Sequence, residues 1–413
     1  MARNEQQIRH RIRRRRRSLL WLLVAPVAAL GIVIAVDRAF FAQSTMRSCP
    51  FVPTQSSRPG LQRVLDGVVA GPSSIAPGAT AYVSGPHGSW LGAAGVADAG
   101  SCARMPADAR MRLESVSKIY TATLILQLAQ TGKLRVGDTV ARWLPGLLPY
   151  GRRITIRQLL TMSSGLIDNN DFTNASENVK RIHLGRVKNA RLRAQLLAAA
   201  ELVEKNPAAV VPATLWVEWA AWQPLLFTPG GGYHYSNIGY DILGLIAARA
   251  GGKPLPTLYR ERIFQPLGLH ATAYDPQGPI SGPHAHGYGV EPDGSRVDAT
   301  DRHWGVGAEG GIVSNAKETA AFLTSLMRGK LLDRHQVTSM ETDDLWLGGV
   351  ASTCADQAYG WSGGGNGYKT EVWVDDGGSR VAVLLVNARH YGTAQPAADT
   401  AAHAALEDLY CRA

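Results

Sequence analysis

The sequence predicts an α+β fold: an antiparallel β-sheet flanked by helices, built from both ends of the domain, with a large all-helical insertion. Two observations lead to this prediction. Strand patterns separated by turn residues lie near both ends of the chain, and helical periodicity dominates the middle. The chain has 413 residues, of which 45% are apolar and 18% charged. This composition is typical of globular proteins and excludes a disordered, collagenous or coiled-coil chain.

The amino-terminal part of the domain is predicted to begin with a short helix at residues 62–70. Residues 79–84 and 90–96 have strand character and flank His87-Gly88, which indicates a β-hairpin. A helix is then expected over about 115–130, because apolar residues recur there at three- and four-residue spacing.

Helices are expected to fill most of residues 135–330, which we predict to form the helical subdomain. Two of these helices cover about 185–204 and 238–250. Strands return in the last third, where residues 368–386 form two strand patterns around an Asp-Gly-Gly turn. An Ala-rich helix over about 394–410 is expected to close the domain.

The start of the chain has the composition of a targeting segment. Residues 1–17 contain eight Arg and one Glu, which indicates a cytoplasmic basic tail and accounts for most of the formal net charge of +10. Residues 18–36 include an uncharged apolar run that would span about 27 Å as a helix, close to the thickness of a bilayer. A linker at 37–58 and a folded domain at 59–413 are expected to follow.

Residues 18–36 are interpreted as a transmembrane anchor or a signal sequence. The anchor is favoured because the run is long for a signal peptide, and because bulky Phe40 occupies a position where cleavage after Ala42 would require a small residue. In both cases the folded domain is expected to be extracytoplasmic, as a single-pass membrane protein or as a secreted one. The small positive surplus outside the tail gives no reason to expect nucleic-acid binding.

Four cysteines, Cys49, Cys102, Cys354 and Cys411, would then lie in an oxidising compartment. None belongs to a CxxC pair, so zinc and thioredoxin-like interpretations are excluded. Two disulfides allow three pairings. The pairing Cys49–Cys102 with Cys354–Cys411 would join segments near each end of the fold.

The segment Ser115-Val116-Ser117-Lys118 carries the clearest chemistry. Residues i and i+3 share a helix face, so the Ser115 hydroxyl and the Lys118 amine can form a hydrogen bond. A serine becomes a nucleophile when an adjacent base takes its proton, and a desolvated lysine with a lowered pKa can contribute to that. A second S-x-x-K, from Ser314 to Lys317, precedes an Ala-rich helical run, and Ser314 is interpreted as its N-cap.

Four stretches together resemble the serine β-lactamase and penicillin-binding protein superfamily. In chain order they are SVSKIYTATLILQLAQTGKLRVGDTVARWLP (115–145), ITIRQLLTMSSGL (154–166), PGGGYHYSN (229–237) and EGGIVS (309–314). The resemblance covers roughly residues 60–400 and is nearest to the class C β-lactamases and related DD-carboxypeptidases. It implies a β-lactamase/transpeptidase-like fold and a serine hydrolase that forms an acyl-enzyme, with neither metal nor organic cofactor.

The resemblance also implies roles for individual residues. Tyr235 matches the tyrosine that exchanges a proton with the nucleophile, and Asn237 matches an asparagine that hydrogen-bonds the substrate. A neighbouring ammonium favours the phenolate, so Tyr235 and Lys118 would act as a coupled base. Tyr233 and Tyr240 match no catalytic position.

The family's third motif, Lys-Thr-Gly or His-x-Gly, corresponds to Trp361-Ser362-Gly363. Trp361 therefore replaces a cation that helps to hold carboxylate-bearing substrates, as in the class VIII carboxylesterases. The alternative is that Trp361 only packs and that another cation, such as Lys369, reaches the site. The backbone N–H groups of Ser115 and Gly364 are expected to form the oxyanion hole.

Other catalytic interpretations are weaker. Residues 360–364 fit the G-x-S-x-G elbow of α/β-hydrolases with Ser362 as nucleophile, but they lead into a hairpin rather than a helix. His284 and His286 lack a recognisable third metal ligand and are interpreted as surface loop residues. Residues 168–170 could line the cleft or form a turn, and the turn is preferred.

The sequence therefore predicts an extracytoplasmic serine hydrolase acting on ester or amide substrates. The first alternative is a D-alanyl-D-alanine carboxypeptidase, and the second is a catalytically decayed, membrane-tethered binding module. Expected partners are a small-molecule or cell-wall peptide substrate and, through the N-terminal helix, the membrane.

Overall fold

The computed structural model describes residues 49–413, with gaps at 72–73, 174, 206–209, 302, 305, 343–347, 351–353 and 355–357. The predicted basic tail and the anchor or signal sequence at 18–36 lie outside the described residues, as does most of the linker. Within the described part of the chain, no helix is long and apolar enough to cross a membrane.

The strands divide between one large sheet and several small ones. They are β1 (Gly78–Gly85), β2 (Gly88–Asp98), β3 (Ala103–Arg104), β4 (Met111–Arg112), β5 (Val210–Val211), β6 (Ala273–Tyr274), β7 (Tyr288–Val290), β8 (Arg296–Asp298), β9 (His303–Trp304), β10 (Ile312–Ser314), β11 (Gly348–Val350), β12 (Ala358–Gly365), β13 (Tyr368–Asp375), β14 (Val381–Val386) and β15 (Ala388–His390).

The helices surround the large sheet and fill most of the middle of the chain. They are α1 (Pro59–Val69), α2 (Ser117–Gln130), α3 (Val140–Trp143), α4 (Ile156–Leu160), α5 (Asn170–Thr173), α6 (Glu177–Arg186), α7 (Ala190–Lys205), α8 (Ala213–Ala220), α9 (Asn237–Gly251), α10 (Leu255–Tyr259), α11 (Gln265–Leu267), α12 (Ala316–Met327), α13 (Arg334–Thr342) and α14 (Gln395–Cys411). Short 3₁₀ turns cover Glu114–Val116 and Gly392–Ala394, and a π turn covers Arg260–Phe264.

The large sheet has seven antiparallel strands in the order β11-β12-β13-β14-β1-β2-β3. Its centre pairs β14 with β1, in a register that places Ala79 opposite Val386. All six residues of β14 are buried, because helices cover both faces of the sheet. The prediction of an antiparallel sheet built from both ends of the domain is confirmed.

Two apolar cores lie on opposite faces of this sheet. One is formed with α1 and α14 and contains Leu65, Trp373 and Leu406. The other, larger core joins the sheet to α2, α12 and the helical middle. At roughly 25 cal/mol per Å² of buried apolar surface, burial on both faces is the main force that holds the strands and helices together.

The structure differs from the sequence prediction in three details. The helix expected over 185–204 begins later, at Ala190, as α7, and residues 185–186 end the preceding helix α6. The middle of the chain also contains short strands, which form the sheets β4-β10-β6 and β15-β7-β8 and the pair β5-β9. Ser314 ends β10 and is not an N-cap; Asn315 caps α12, accepting a hydrogen bond from the Glu318 N–H.

Both disulfides follow the pairing suggested from the sequence. Cys49 is bonded to Cys102, and Cys354 is bonded to Cys411. The first bond attaches the segment before α1 to the loop between β2 and β3. The second attaches the end of α14 to the segment between β11 and β12. Each disulfide thus holds a peripheral segment against the large sheet.

Candidate active site

The nucleophile candidate, Ser115, lies on the 3₁₀ turn that connects β4 to α2. The start of α2 is fixed on β10, because the Ile312 N–H donates to Ser117 Oγ at 3.0 Å. Residues 117–126 are all buried, so α2 is a core helix rather than an amphipathic surface helix. A helix packed on all sides holds the turn before it in one position.

Ser115, Lys118, Tyr235 and Asn237 converge at this turn. A hydrogen bond of 2.7 Å joins Ser115 Oγ and Tyr235 Oη. Lys118 Nζ donates to Ser115 Oγ at 3.0 Å and to Asn237 Oδ1 at 2.7 Å. Tyr235 lies in the loop before α9, and Asn237 is the first residue of α9. Both are about 120 positions from Ser115 and Lys118 in the sequence. This geometry can pass a proton from a serine to a neighbouring base.

Glu309, which the sequence analysis assigned no role, controls the charge of Lys118. Lys118 Nζ donates to the Glu309 backbone oxygen at 3.0 Å and forms an ion pair with Oε2 at 3.2 Å. Burial disfavours the ammonium, but the interactions with Tyr235 and Glu309 outweigh it and raise the pKa of Lys118. The expectation of a lowered pKa for Lys118 is therefore wrong, because the amine interacts with both Tyr235 and Glu309.

Two opposing effects act on the pKa of Tyr235. Burial raises the pKa of its phenol, and the charge and hydrogen bond of Lys118 offset only part of this effect. The ammonium thus makes the phenolate more accessible than burial alone would allow, in the direction expected from the sequence.

Asp168 positions Asn237. Its Oδ2 accepts a hydrogen bond from the Asn237 N–H at 2.5 Å, and its Oδ1 accepts one from the Asn170 N–H at 3.0 Å. Burial raises the pKa of Asp168 to about 6, although both backbone N–H groups lower it. Residues 168–170 were predicted to form a turn rather than to line the cleft. Asp168 fits the turn, whereas Asn169 and Asn170 line the cavity.

The reactive groups open onto a cavity of about 520 Å³. It is lined by Glu114, Ser115, Asn169, Asn170, Thr173, Trp216, Tyr235, Asn237, Val306, Glu309, Gly364, Gly365, Asn366, Arg389, Tyr391 and Gln395. A cavity of similar size, about 530 Å³, lies against β2, but none of the predicted site residues lines it. The cavity at Ser115 is therefore the candidate substrate site.

Three consecutive glycines of β12 bring the strand against this cavity. A Cβ atom on Gly363 would lie 2.5 Å from the Leu113 carbonyl oxygen and 3.0 Å from Ser115 N. A Cβ atom on Gly364 would lie 2.6 Å from Arg389 Nη1, and one on Gly365 would lie 2.7 Å from Glu114 Oε2. The strand can approach all three groups only without side chains. The close approach of β12 to the turn at Ser115 is compatible with an oxyanion hole formed by the N–H groups of Ser115 and Gly364, which stays a prediction.

Trp361 and Ser362 are not among the residues that line the cavity. Trp361 is partly buried against the larger apolar core. Ser362 Oγ accepts a hydrogen bond from Lys369 Nζ at 2.6 Å and donates one to Glu371 Oε1 at 2.8 Å. Since β12 leads into a hairpin and the partners of Ser362 are an ammonium and a carboxylate, the nucleophile-elbow interpretation is not supported.

The cation in the cavity is Arg389, which follows β14 in the chain. Lys369, the cation proposed from the sequence, instead pairs with Glu371 at 2.8 Å and with Asp399 at 2.9 Å. Arg389 Nη1 donates to Asp399 Oδ1 at 2.6 Å, so Asp399 connects the two cations. A cation other than Lys369, the Arg389 guanidinium, thus reaches the cavity. The role of Trp361 in substrate binding stays a prediction.

The two histidines of the H-x-H pattern lie outside the cavity. His284 and His286 stack with ring centroids 5.9 Å apart, and His286 Nδ1 lies 2.7 Å from Asp298 Oδ2. The described residues contain no group of three or more His, Cys, Asp or Glu side chains that could hold a metal ion. The partial exposure of both rings fits the interpretation as surface residues.

Glu114 is the second carboxyl group beside the nucleophile, after Glu309, for which the sequence indicated no role. Its backbone φ is +50°, and its side chain is buried although it lines the cavity. Burial and the negative charge of Glu309 raise its pKa to about 8, against the opposing effects of Arg112, Arg389 and Lys118. Glu114 thus keeps its proton to a higher pH than an exposed carboxyl group does.

We expect Glu114→Gln to become increasingly more stable than the wild type as the pH rises from about 4.5 to 8. In this range the folded protein keeps a proton on Glu114 that the unfolded chain has lost, because the pKa moves from 4.5 to about 8 on folding. The wild type therefore loses up to about 1.4 kcal/mol of unfolding free energy per pH unit through this group. Urea unfolding of both proteins at several pH values measures the difference.

The exposed Glu261 provides a control, since a hydrogen bond from Lys253 lowers the pKa of its carboxyl group. Glu261→Gln should show no such slope between about pH 5 and 8. A constant difference between Glu114→Gln and the wild type over this range would contradict the raised pKa of Glu114.

The chain is similar to known proteins along most of its length. A family model described as beta-lactamase matches residues 72–407. Penicillin-binding protein 4 of Amycolatopsis lactamdurans is 28% identical over 294 residues, which are 68% of this chain and 68% of that protein. Esterase EstB of Burkholderia gladioli is 31% identical over 202 residues, 43% of this chain and 41% of the esterase. The match thus spans less than half of EstB.

Among solved structures, the D-amino acid amidase from Ochrobactrum anthropi SV3, complexed with L-phenylalanine amide, superimposes with a TM-score of 0.68. The two chains are 21% identical, and the match covers 85% of this chain and 97% of the amidase. At this level of identity the comparison establishes the shared fold.

Proposed function

The chain belongs to the β-lactamase family of serine hydrolases, and from this premise we propose that it is an extracytoplasmic hydrolase that cleaves ester or amide substrates through an acyl-enzyme on Ser115. The observation that carries the proposal is the hydrogen-bonded group at the cavity. Ser115 Oγ lies 2.7 Å from Tyr235 Oη and 3.0 Å from Lys118 Nζ. Both distances allow direct proton transfer.

The arrangement supports a two-step acyl transfer. Tyr235, as the phenolate, takes the proton of Ser115 Oγ while that oxygen attacks the substrate carbonyl. The Lys118 ammonium stabilises the phenolate, and the N–H groups of Ser115 and Gly364 receive the oxyanion. Tyr235 then protonates the leaving group. In the second step it takes a proton from the water that attacks the ester on Ser115, and it returns this proton to Ser115 Oγ as the acyl bond breaks.

The extracytoplasmic location rests on two features. Both pairs of cysteines form disulfides, which persist in oxidising compartments. The Arg-rich residues 1–17 precede an apolar run, an order that leaves the following domain outside the membrane. After expression of the full chain, alkaline extraction of membranes distinguishes an anchored protein, which stays in the pellet, from a cleaved and released one.

Intact mass spectrometry tests the acyl-enzyme. The protein is incubated separately with a penicillin and with a short-chain activated ester, beside Ser115→Ala. A mass increase that requires Ser115 supports the proposal. A lasting penicillin adduct would favour a cell-wall peptidase, and ester turnover without one would favour an esterase. If neither compound forms an adduct and neither is turned over, the binding module is favoured and the proposal is contradicted.

Arg389 supports the D-alanyl-D-alanine carboxypeptidase as the second candidate. Its guanidinium lies in the cavity beside Gly364, where it can bind the terminal carboxylate of a peptide. The cavity wall is neither wholly apolar nor neutral, because Glu309 and Glu114 also line it. The candidate therefore depends on whether substrates with a free carboxylate are preferred.

We expect Arg389→Ala to lose at least about tenfold in kcat/KM for a D-alanyl-D-alanine peptide relative to the same peptide with an amidated terminus. The reason is that the guanidinium can form an ion pair with the carboxylate but not with the neutral amide. Arg334→Ala is the matched control, because Arg334 pairs with Asp376 outside the cavity. Equal losses for both peptides would show that Arg389 acts on the fold of the site.

A further inference from the structure

The short strand β15 fixes the backbone of Arg389 but not the position of its guanidinium. β15 pairs in parallel with β7, in a register that places Arg389 opposite Gly289. Neighbouring residues of a strand point to opposite sides. Ala388 accordingly belongs to the core with α1 and α14, and His390 Nε2 lies 2.7 Å from the Ile75 carbonyl oxygen. Arg389 points the other way, into the cavity, where its long side chain could still place the guanidinium in many positions.

Asp399, near the start of α14, is the group that holds this guanidinium. Arg389 Nη1 donates to Asp399 Oδ1 at 2.6 Å, and the guanidinium has no other hydrogen-bond acceptor among the described residues. Gln395, which also lines the cavity, places its Nε2 3.4 Å from Asp399 Oδ2. Asp399 itself does not line the cavity. It therefore supports two cavity residues from behind.

Lys369 makes the negative charge of Asp399 necessary. Its Nζ lies 2.9 Å from the same Oδ1 atom that Arg389 contacts. Two cations thus flank one carboxylate oxygen, and without its charge they would repel each other. Lys369 would keep the Glu371 carboxylate as its partner at 2.8 Å, whereas Arg389 would keep none of the described residues. An uncharged side chain at position 399 should therefore release the Arg389 guanidinium.

We propose that Asp399 is a positioning residue for substrate binding, which holds the Arg389 guanidinium in the orientation that pairs with a terminal carboxylate. A guanidinium binds a carboxylate strongly only when its N–H groups face the carboxylate oxygens. Loss of this orientation lowers the affinity even though the positive charge remains. The inference rests on the proposed function, because it concerns the carboxylate that Arg389 is proposed to bind.

Positioning and charge balance predict opposite effects for Asp399→Asn. Removal of a carboxylate beside the cavity makes the site more positive, which alone would improve the binding of a substrate carboxylate. The Asp399 side chain is 32% exposed, and a charge in such a position changes affinity by less than about fivefold. Weaker binding of the carboxylate by Asp399→Asn would therefore report on the orientation of Arg389.

The main experiment measures kcat and KM for a peptide that ends in D-alanyl-D-alanine and for the same peptide with an amidated terminus. In Asp399→Asn, KM for the free carboxylate is expected to rise about five- to tenfold. The kcat for this peptide, and both constants for the amide, should stay within about threefold of the wild type. Asp399→Glu restores the charge and should return KM to within about threefold. Asp376→Asn is the matched control, because Asp376 pairs with Arg334 outside the cavity.

A double variant separates positioning from a general effect on the fold. Arg389→Ala removes the guanidinium, so the further change Asp399→Asn should alter the ratio of the two KM values by less than about twofold. If the double variant instead shows the losses of both single variants combined, Asp399 acts independently of Arg389 and the inference is overturned. Asp399→Ser replaces Asp399→Asn in both tests if the latter fails to fold, since a smaller polar side chain fits this partly exposed position.

The outcomes separate this inference from the proposed function. A preference for the free carboxylate that requires Arg389 but survives in Asp399→Asn overturns the inference alone. Turnover of both peptides without such a preference overturns the inference and the carboxypeptidase candidate, and leaves the serine hydrolase standing. If neither the peptides nor an activated ester is turned over in a Ser115-dependent way, the proposed function is overturned as well.

Discussion

Ser115→Ala is expected to lose at least about 10⁴-fold in kcat/KM toward any ester or amide that the wild type hydrolyses, while its fold stays intact. The alanine lacks the oxygen that forms the acyl bond, and the remaining groups of the cavity cannot replace it. Only the hydrogen bonds of Ser115 Oγ to Tyr235 and Lys118 are removed, so we expect an unfolding free energy within about 1 kcal/mol of the wild type.

Ser314 offers the matched control, because it begins the second S-x-x-K of the chain. Its hydroxyl is buried and hydrogen-bonded to Thr272 at 2.7 Å, away from the cavity. Ser314→Ala should lower stability by about 1 kcal/mol and change kcat/KM by less than about threefold. Comparable activity of Ser115→Ala and the wild type, measured in parallel, would remove Ser115 from the mechanism.

Tyr235→Phe is expected to lower kcat/KM by about 10²- to 10⁴-fold, because it removes the group that exchanges the proton with Ser115. The phenyl ring keeps the packing and the contact with the Lys118 ammonium, whose Nζ lies 5.0 Å from the ring centre. Steady-state kinetics with one activated ester measures the loss. An activated leaving group needs little protonation, so the remaining loss reports on the attack step.

Tyr233 is the control for this substitution, since its side chain is 66% exposed and does not line the cavity. Tyr233→Phe should change kcat/KM by less than about threefold. If Tyr235→Phe behaved in the same way, Lys118 alone would have to accept the proton. That result would conflict with the ion pair that holds its amine as an ammonium.

The residues that meet at the cavity were predictable where local sequence patterns encode the geometry. Ser115 and Lys118 are three residues apart at a helix start, which fixes their contact. Tyr235 and Asn237 were placed by the resemblance of residues 229–237 to a known family. The central hairpins were predictable for a similar reason, since short turns between alternating strands specify both partners locally.

The charge of the site was not predictable, because it depends on contacts between distant segments. Glu309 lies 191 positions from Lys118, and together with Tyr235 it reverses the expected direction of the Lys118 pKa shift. Arg389 enters the cavity only because β14 lies next to β13 and delivers the following residues to this end of the sheet. Glu114 was visible in the sequence, but its burial appears only in the fold.

The pairing of β1 with β14 has a consequence for how the protein is made. Gly78 N donates to the side chain of Asn387, a contact across 309 positions of the chain. During synthesis β1 therefore emerges long before its partner β14, and the β1–β2 hairpin presents an unpaired strand edge to the surroundings. The sheet can close only after nearly the whole domain has been delivered, and contacts of such long range slow folding. Factors that shield nascent chains from self-association should therefore raise the yield of this protein more than that of domains whose strands pair with near neighbours.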